Sequence, residues 1–136
     1  MNLENSQSII KTVIAAIGTV ATYLWGGWDT VISALVVMVV FDYITGVVAS
    51  AVHGRLDSAV GRRGIARKVG IFILVAIANI LDRTGGLGEP ILRTVVAWFY
   101  IGSEAISITE NLAEIGVPIP ARMRDALARL RDGGER

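Results

Sequence analysis

Four apolar stretches separated by short polar segments dominate the pattern along this chain. The first runs from Ile9 to about Trp25, with Lys11 near its start. The second runs from Thr30 to Ala51 and is interrupted by a single charge, Asp42. The third runs from Ile65 to Leu81 with Arg67 and Lys68 at its beginning, and the fourth from Ile91 to Ile108 with Arg93 near one end and Glu104 near the other. A helix that crosses a bilayer needs ~20 mostly apolar residues. The second stretch meets this outright, and the first and fourth reach it. The third does so only with Arg67 and Lys68 extended to the interface, because Val69 to Leu81 alone covers about 20 Å at 1.5 Å per residue. The pattern predicts an all-α integral membrane protein with four transmembrane helices at about 9–25, 30–51, 65–81 and 91–108.

The connections fit this division. Trp25-Gly26-Gly27-Trp28-Asp29 is a tight polar turn between two tryptophans, which favour the headgroup region. Asp82 to Pro90 is glycine-rich and ends in a proline suited to starting a helix. His53 to Lys68 carries Arg55, Arg62, Arg63, Arg67 and Lys68 against Asp57, and the segment after Pro120 carries five arginines against Asp125, Asp132 and Glu135. Basic segments collect on the cytoplasmic side, so both belong inside, with two spans between them. Four spans then place both termini inside and the two other loops outside; counting three would move the N-terminus outside. The expected division is a membrane domain over 1–120 and a basic cytoplasmic tail over 121–136. Within that tail Met123, Leu127 and Leu130 recur at helical spacing, which predicts a short amphipathic helix resting on the membrane or on a neighbouring element, or else a solvated terminus.

Composition narrows the function. Of 136 residues, 53% are hydrophobic and 18% charged, more apolar surface than a soluble domain of this size can hide. The net charge of +1 conceals segregation of charge into loops and tails. There is no cysteine and one histidine, which removes disulfides, thiolate catalysis and histidine-cluster metal sites. The N-terminal residues lack a basic run and a cleavage pattern, so they are expected to be retained. Gly61, Gly64 and the adjacent arginines match no phosphate-binding spacing, and no nucleophile–base pair is present. No enzyme activity, cofactor or nucleic-acid partner is expected. The basic loop instead suits anionic lipid headgroups.

The candidate chemistry lies in the spans. A carboxylate at the position of Asp42 costs ~2.5–3.5 kcal/mol on insertion scales, so it must face protein or water. Thr45, Gly46, Ala49 and Ser50 share its face, and Gly46-x-x-x-Ser50 has the spacing that lets helices approach closely. Asp42 is therefore either a pore or proton site or a salt-bridged carboxylate at a helix contact. On the fourth stretch Tyr100, Ser103, Glu104, Ser107 and Asn111 form one polar stripe, opposite Ile101, Ala105 and Ile108. Lipid cannot satisfy such a stripe, so it must meet other helices or line water. Arg93 is expected to reach the interface. Ala15, Gly18, Thr19 and Thr22 read as a helix-packing face.

These pieces, in order, resemble the phage lysis and toxin-secretion holins: Asp42-Tyr43-Ile44-Thr45-Gly46; Ser58-x-x-Gly61-x-x-Gly64 leading into Arg67-Lys68; Phe99-Tyr100-x-x-x-Glu104-x-x-Ser107-Ile108-x-Glu110-Asn111; and Gly116-Val117-Pro118-Ile119-Pro120. The resemblance covers roughly Val31 to Leu130. It implies a homo-oligomer in the host cytoplasmic membrane that opens lesions for an endolysin or toxin, subject in some systems to an antiholin. A small oligomeric ion channel or transporter, and an antiholin, are the competing readings. The topology has a direct test. A periplasmic reporter fused after residue 136 should be inactive, and the same reporter inserted between Gly85 and Gly88 active; the opposite pattern would invert the assignment.

Overall fold

The structure is a computed structural model that describes residues 3–55, 58–86 and 88–133, so Asp57, Glu135 and Arg136 of the basic segments lie outside it. The chain forms helices α1 (Leu3–Trp25), α2 (Thr30–Val52), α3 (Ser58–Thr84), α4 (Ile91–Glu114) and α5 (Ala121–Gly133). The first four are long and apolar enough to cross a membrane. Three elements clearly outrun their apolar stretches: α1 starts at Leu3 rather than Ile9, α3 at Ser58 rather than Ile65, and α4 continues past Ile108 to Glu114. Polar residues do not end a helix by themselves. Chain-reversing glycines do: Gly54 after α2 and Gly116 after α4 have φ of 62° and 86°. The next amides, of Arg55 and Val117, donate back to Ser50 and Leu112 at 2.9 and 3.0 Å, closing each C-terminus. The amphipathic pattern of the tail forms α5, which folds back onto α4.

α4 is the central helix. α2 lies closely along it, α3 packs on another side, and α1 packs on α3. Ile32, Leu35 and Val39 of α2, Ile71 and Val75 of α3 and Ala97 of α4 form the apolar core. The outer surface carries Ile9, Ile14, Val37, Phe41, Ile73, Val95 and Trp98, all exposed. Lipid solvates such a surface as well as a neighbouring side chain does, so the helices associate through close packing and polar contacts more than through the hydrophobic effect.

The polar contacts form two clusters, one at each end of the core. At the end holding the Trp25–Asp29 turn, three helix termini are capped by side chains, two of them from another element. Asn79 donates to the carbonyls of Tyr23 and Leu24 at 3.1 and 3.0 Å, closing the last turn of α1. Asp29 is the N-cap of α2, accepting from the Ile32 amide at 2.9 Å. Pro90 offers α4 no side-chain cap. Asp82 of α3 takes that role, accepting from the Leu92 and Arg93 amides at 2.9 and 2.8 Å. Arg93, 2% exposed, ties these together by donating to the Trp25 carbonyl and, at 2.7 Å, to Asp29. Hydrogen bonding from Arg93 holds the Asp29 carboxyl below its ordinary value of 3.8. Gly26 is required here. Its φ is 75°, and a Cβ would stand 2.6 Å from Asn79 Oδ1. Trp25 adds an indole donation to the Phe72 carbonyl at 2.9 Å and an edge-on ring contact with Phe72.

Arg93 therefore corrects the expectation of a snorkelling side chain. It turns inward because the carbonyl of Trp25 and the carboxylate of Asp29 converge on it. Arg93→Met should lower stability by about 2–4 kcal/mol, below the upper end for a broken buried pair because Asp29 is half-exposed. Thermal unfolding in detergent micelles checks this, and an unchanged midpoint would show that the cluster carries no such load.

Candidate functional site: one lysine between two carboxylates

The second cluster lies toward the other end of the core, where α2 and α4 finish and α3 begins. The small face of α2 lies against α4 here: a Cβ on Gly46 would stand at ordinary contact distance, 3.6 Å, from Asn111 Nδ2. Asn111 then donates to Asp42 Oδ1 at 3.1 Å and to Thr45 Oγ1 at 3.0 Å. The Thr45 hydroxyl donates to the Phe41 carbonyl at 2.8 Å, a bond within its own helix that leaves its oxygen free to accept. The other Asp42 oxygen accepts from Lys68 Nζ of α3 at 2.6 Å, and the same ammonium donates to Glu104 Oε2 of α4 at 2.7 Å.

A single cation thus joins all three core helices through two carboxylates. The Asp42 and Lys68 side chains are 14% and 13% exposed, and Glu104 is fully buried. Glu104 Oε1 has no hydrogen-bond partner among the described residues, and the exposed Arg67 guanidinium stops 3.9 Å away. Beside the cluster a cleft of about 300 Å³ separates α2 from α3, lined by Gly46, Ser50, Gly61, Gly64, Ser107 and Asn111 among others, with Asp42 and Lys68 also on its wall.

The sequence-derived candidates are distributed as follows. Asp42, Thr45, Glu104 and Asn111 meet in the cluster, while Gly46, Ser50 and Ser107 line the adjoining cleft. Tyr100 instead packs against the apolar core, and Ser103 is half-buried next to Glu104 in the chain. Arg55, Arg62, Arg63 and Arg67 are exposed. Lys68 is the correction. Expected at the headgroups, it lies well inside α3, nearly three turns from Ser58, and its ammonium meets the two carboxylates. Sequence reasoning also missed Asn79, Asp82 and Arg93 as a clamp. The signal for it is that Asp29, Asp82 and Arg93 all flank turns assigned to the same side.

These features define a multi-pass helical membrane protein with a buried ion network. The chain belongs to the bacteriophage holin family, whose sequence profile it matches over residues 19–132. An uncharacterized 14.9 kDa protein of Clostridium perfringens is 41% identical over 128 residues, which is 94% of this chain and 97% of that protein. A Listeria innocua protein, also uncharacterized, is 40% identical over 119 residues, 88% of this chain and 84% of its own. A probable holin of Bacillus phage phi105 is 40% identical over 93 residues, 68% of each chain. No solved structure matches.

The geometry predicts unequal costs of substitution. Lys68→Met leaves two facing carboxylates without their cation and should cost about 3–5 kcal/mol, whereas Asp42→Asn, Lys68→Met and Glu104→Gln together should cost far less, because no charge remains buried. Chemical or thermal unfolding in micelles compares the two; a triple variant no more stable than the single one would show that shape, not charge, dominates.

Proposed function

We propose that this chain is a holin that oligomerises in the host cytoplasmic membrane and forms lesions through which an endolysin or toxin reaches the cell wall. Membership of the bacteriophage holin family carries this reading. The structure supports it in a specific way. One protomer has only four helices that could cross a bilayer among its described residues, and its polar side chains point at one another rather than into a lumen. A hole wide enough for a protein therefore needs many copies, and its wet lining must come from groups buried in the single protomer. The role is non-enzymatic, with the membrane and further copies of the chain as its direct partners.

In this reading the termini face the cytoplasm, 1–120 is the membrane domain and 121–136 the basic tail. Arg55, Arg62, Arg63 and Arg67 touch anionic headgroups at the cytoplasmic surface. Asp42, Glu104 and Asn111 are held in helix contacts before triggering and hydrated afterwards.

The test is induction in a bacterial host with and without an endolysin. Abrupt leakage, with lysis only when endolysin is present, is the expected result. Continued growth with a selective ion current would replace this reading with a channel, and delay of a co-expressed holin with an antiholin. Asp42→Leu at matched expression should shift the onset of leakage at least about twofold, since a change near 1 kcal/mol in a two-state balance moves populations several-fold; identical timing would remove Asp42 from the mechanism.

A further inference from the structure

Lesion formation requires buried polar groups to reach water, and the packing indicates where the protomer parts. α2 and α4 approach closely along their length, with Asn111 seated over Gly46. α2 and α3 approach closely at few places. At the cluster end their small residues, Gly46 and Ser50 on one side and Gly61 and Gly64 on the other, line the cleft rather than touch. A Cβ built on Gly61 or Gly64 meets no atom of the described residues within 4 Å. Where the cleft ends, the Lys68–Asp42 ion pair spans the gap at 2.6 Å.

We propose that the protomer opens along the seam between α2 and α3, from this cleft inward, and that Lys68 is the latch; the inference rests on the lesion-forming reading above. Separating α2 from α4 breaks close packing along the length of both helices and strips Asn111 of both its partners. Separating α2 from α3 at this end breaks chiefly one ion pair. Both charges regain hydration as water follows from the cleft, which offsets most of the lost attraction. Lys68 keeps Glu104 throughout, so α3 stays on α4 while its hold on α2 is released. The opened wall carries Asp42, Ser50, Lys68, Ser107 and Asn111, a polar surface that an assembly would turn toward water.

The chain has no cysteine, so single replacements report without background. The full-length protein is reconstituted in liposomes with Ile71→Cys, one turn from Lys68 and 3% exposed, or with Ile32→Cys, 1% exposed at the far end of the same core. Adding Lys68→Met should speed labelling of Ile71→Cys by a membrane-impermeant maleimide at least about tenfold, as local opening does, and leave Ile32→Cys unchanged. Lys68→Arg should keep the slow rate. No acceleration at Ile71→Cys, or equal acceleration at both sites, overturns the latch. In a separate preparation Asp42→Cys and Lys68→Cys are joined by a short thiol-cleavable cross-linker. Dye leakage should stop and return on cleavage; leakage from the cross-linked protein overturns the seam. If no uncross-linked protein leaks while the Lys68-dependent labelling is intact, the lesion reading falls and the seam stands.

Discussion

Lipid offers no hydrogen bonds, and the rest of the structure follows from that constraint. Each polar group brought into the bilayer must find its partner inside the protein. Lys68 answers this for two carboxylates at once, and in doing so it sets the relative placement of α2, α3 and α4. At the other end of the core Arg93 does the same for the turn between α1 and α2. The apolar core between them is small, and its packing is not specific enough alone to hold one arrangement in a solvent as apolar as itself. Register comes from the polar ends.

The two clusters are built differently, and the difference bears on function. The Arg93 cluster consists of helix caps: Asp29, Asp82 and Asn79 all satisfy backbone groups that every helix end must satisfy. Dismantling it would expose the ends of three helices. The Lys68 cluster is made of side chains, with Asn111 touching Asp42 and Thr45 and one cation between two carboxylates. Little backbone hydrogen bonding depends on it. It also lies beside a cleft and contains an oxygen of Glu104 with no partner among the described residues. A fold fastened firmly at one end and by an ion pair at the other is suited to opening at the second.

Much of the candidate site is legible in the order of the residues. Asp42 stands out because a lone carboxylate in an apolar helix has to be explained, and Glu104 because it belongs to a stripe at helical spacing. Their shared partner is not legible. Lys68 sits next to Arg67 at the start of an apolar run, where basic residues normally anchor a helix at the headgroups, and hydropathy cannot distinguish that role from an inward one. The packing of α3 against α2 and α4 decides the matter by turning Lys68 toward Asp42 and Glu104 while its neighbour Arg67 stays exposed. Tyr100 fails for the opposite reason: it is polar enough to join a stripe, yet its ring is large and apolar enough to pack against the core.

From sequence alone, the period and length of the apolar runs were enough to determine an all-helical membrane protein, its four long helices and the faces that carry Asp42 and Glu104, because lipid imposes length and helix geometry imposes spacing. That the tail is a helix rather than a solvated terminus comes from the structure. Which charge meets which was decided only by tertiary structure. Asp42, Lys68 and Glu104 lie far apart in the chain and share no periodicity. Their meeting depends on the rotation of three helices about their axes, which no periodicity within a single helix specifies.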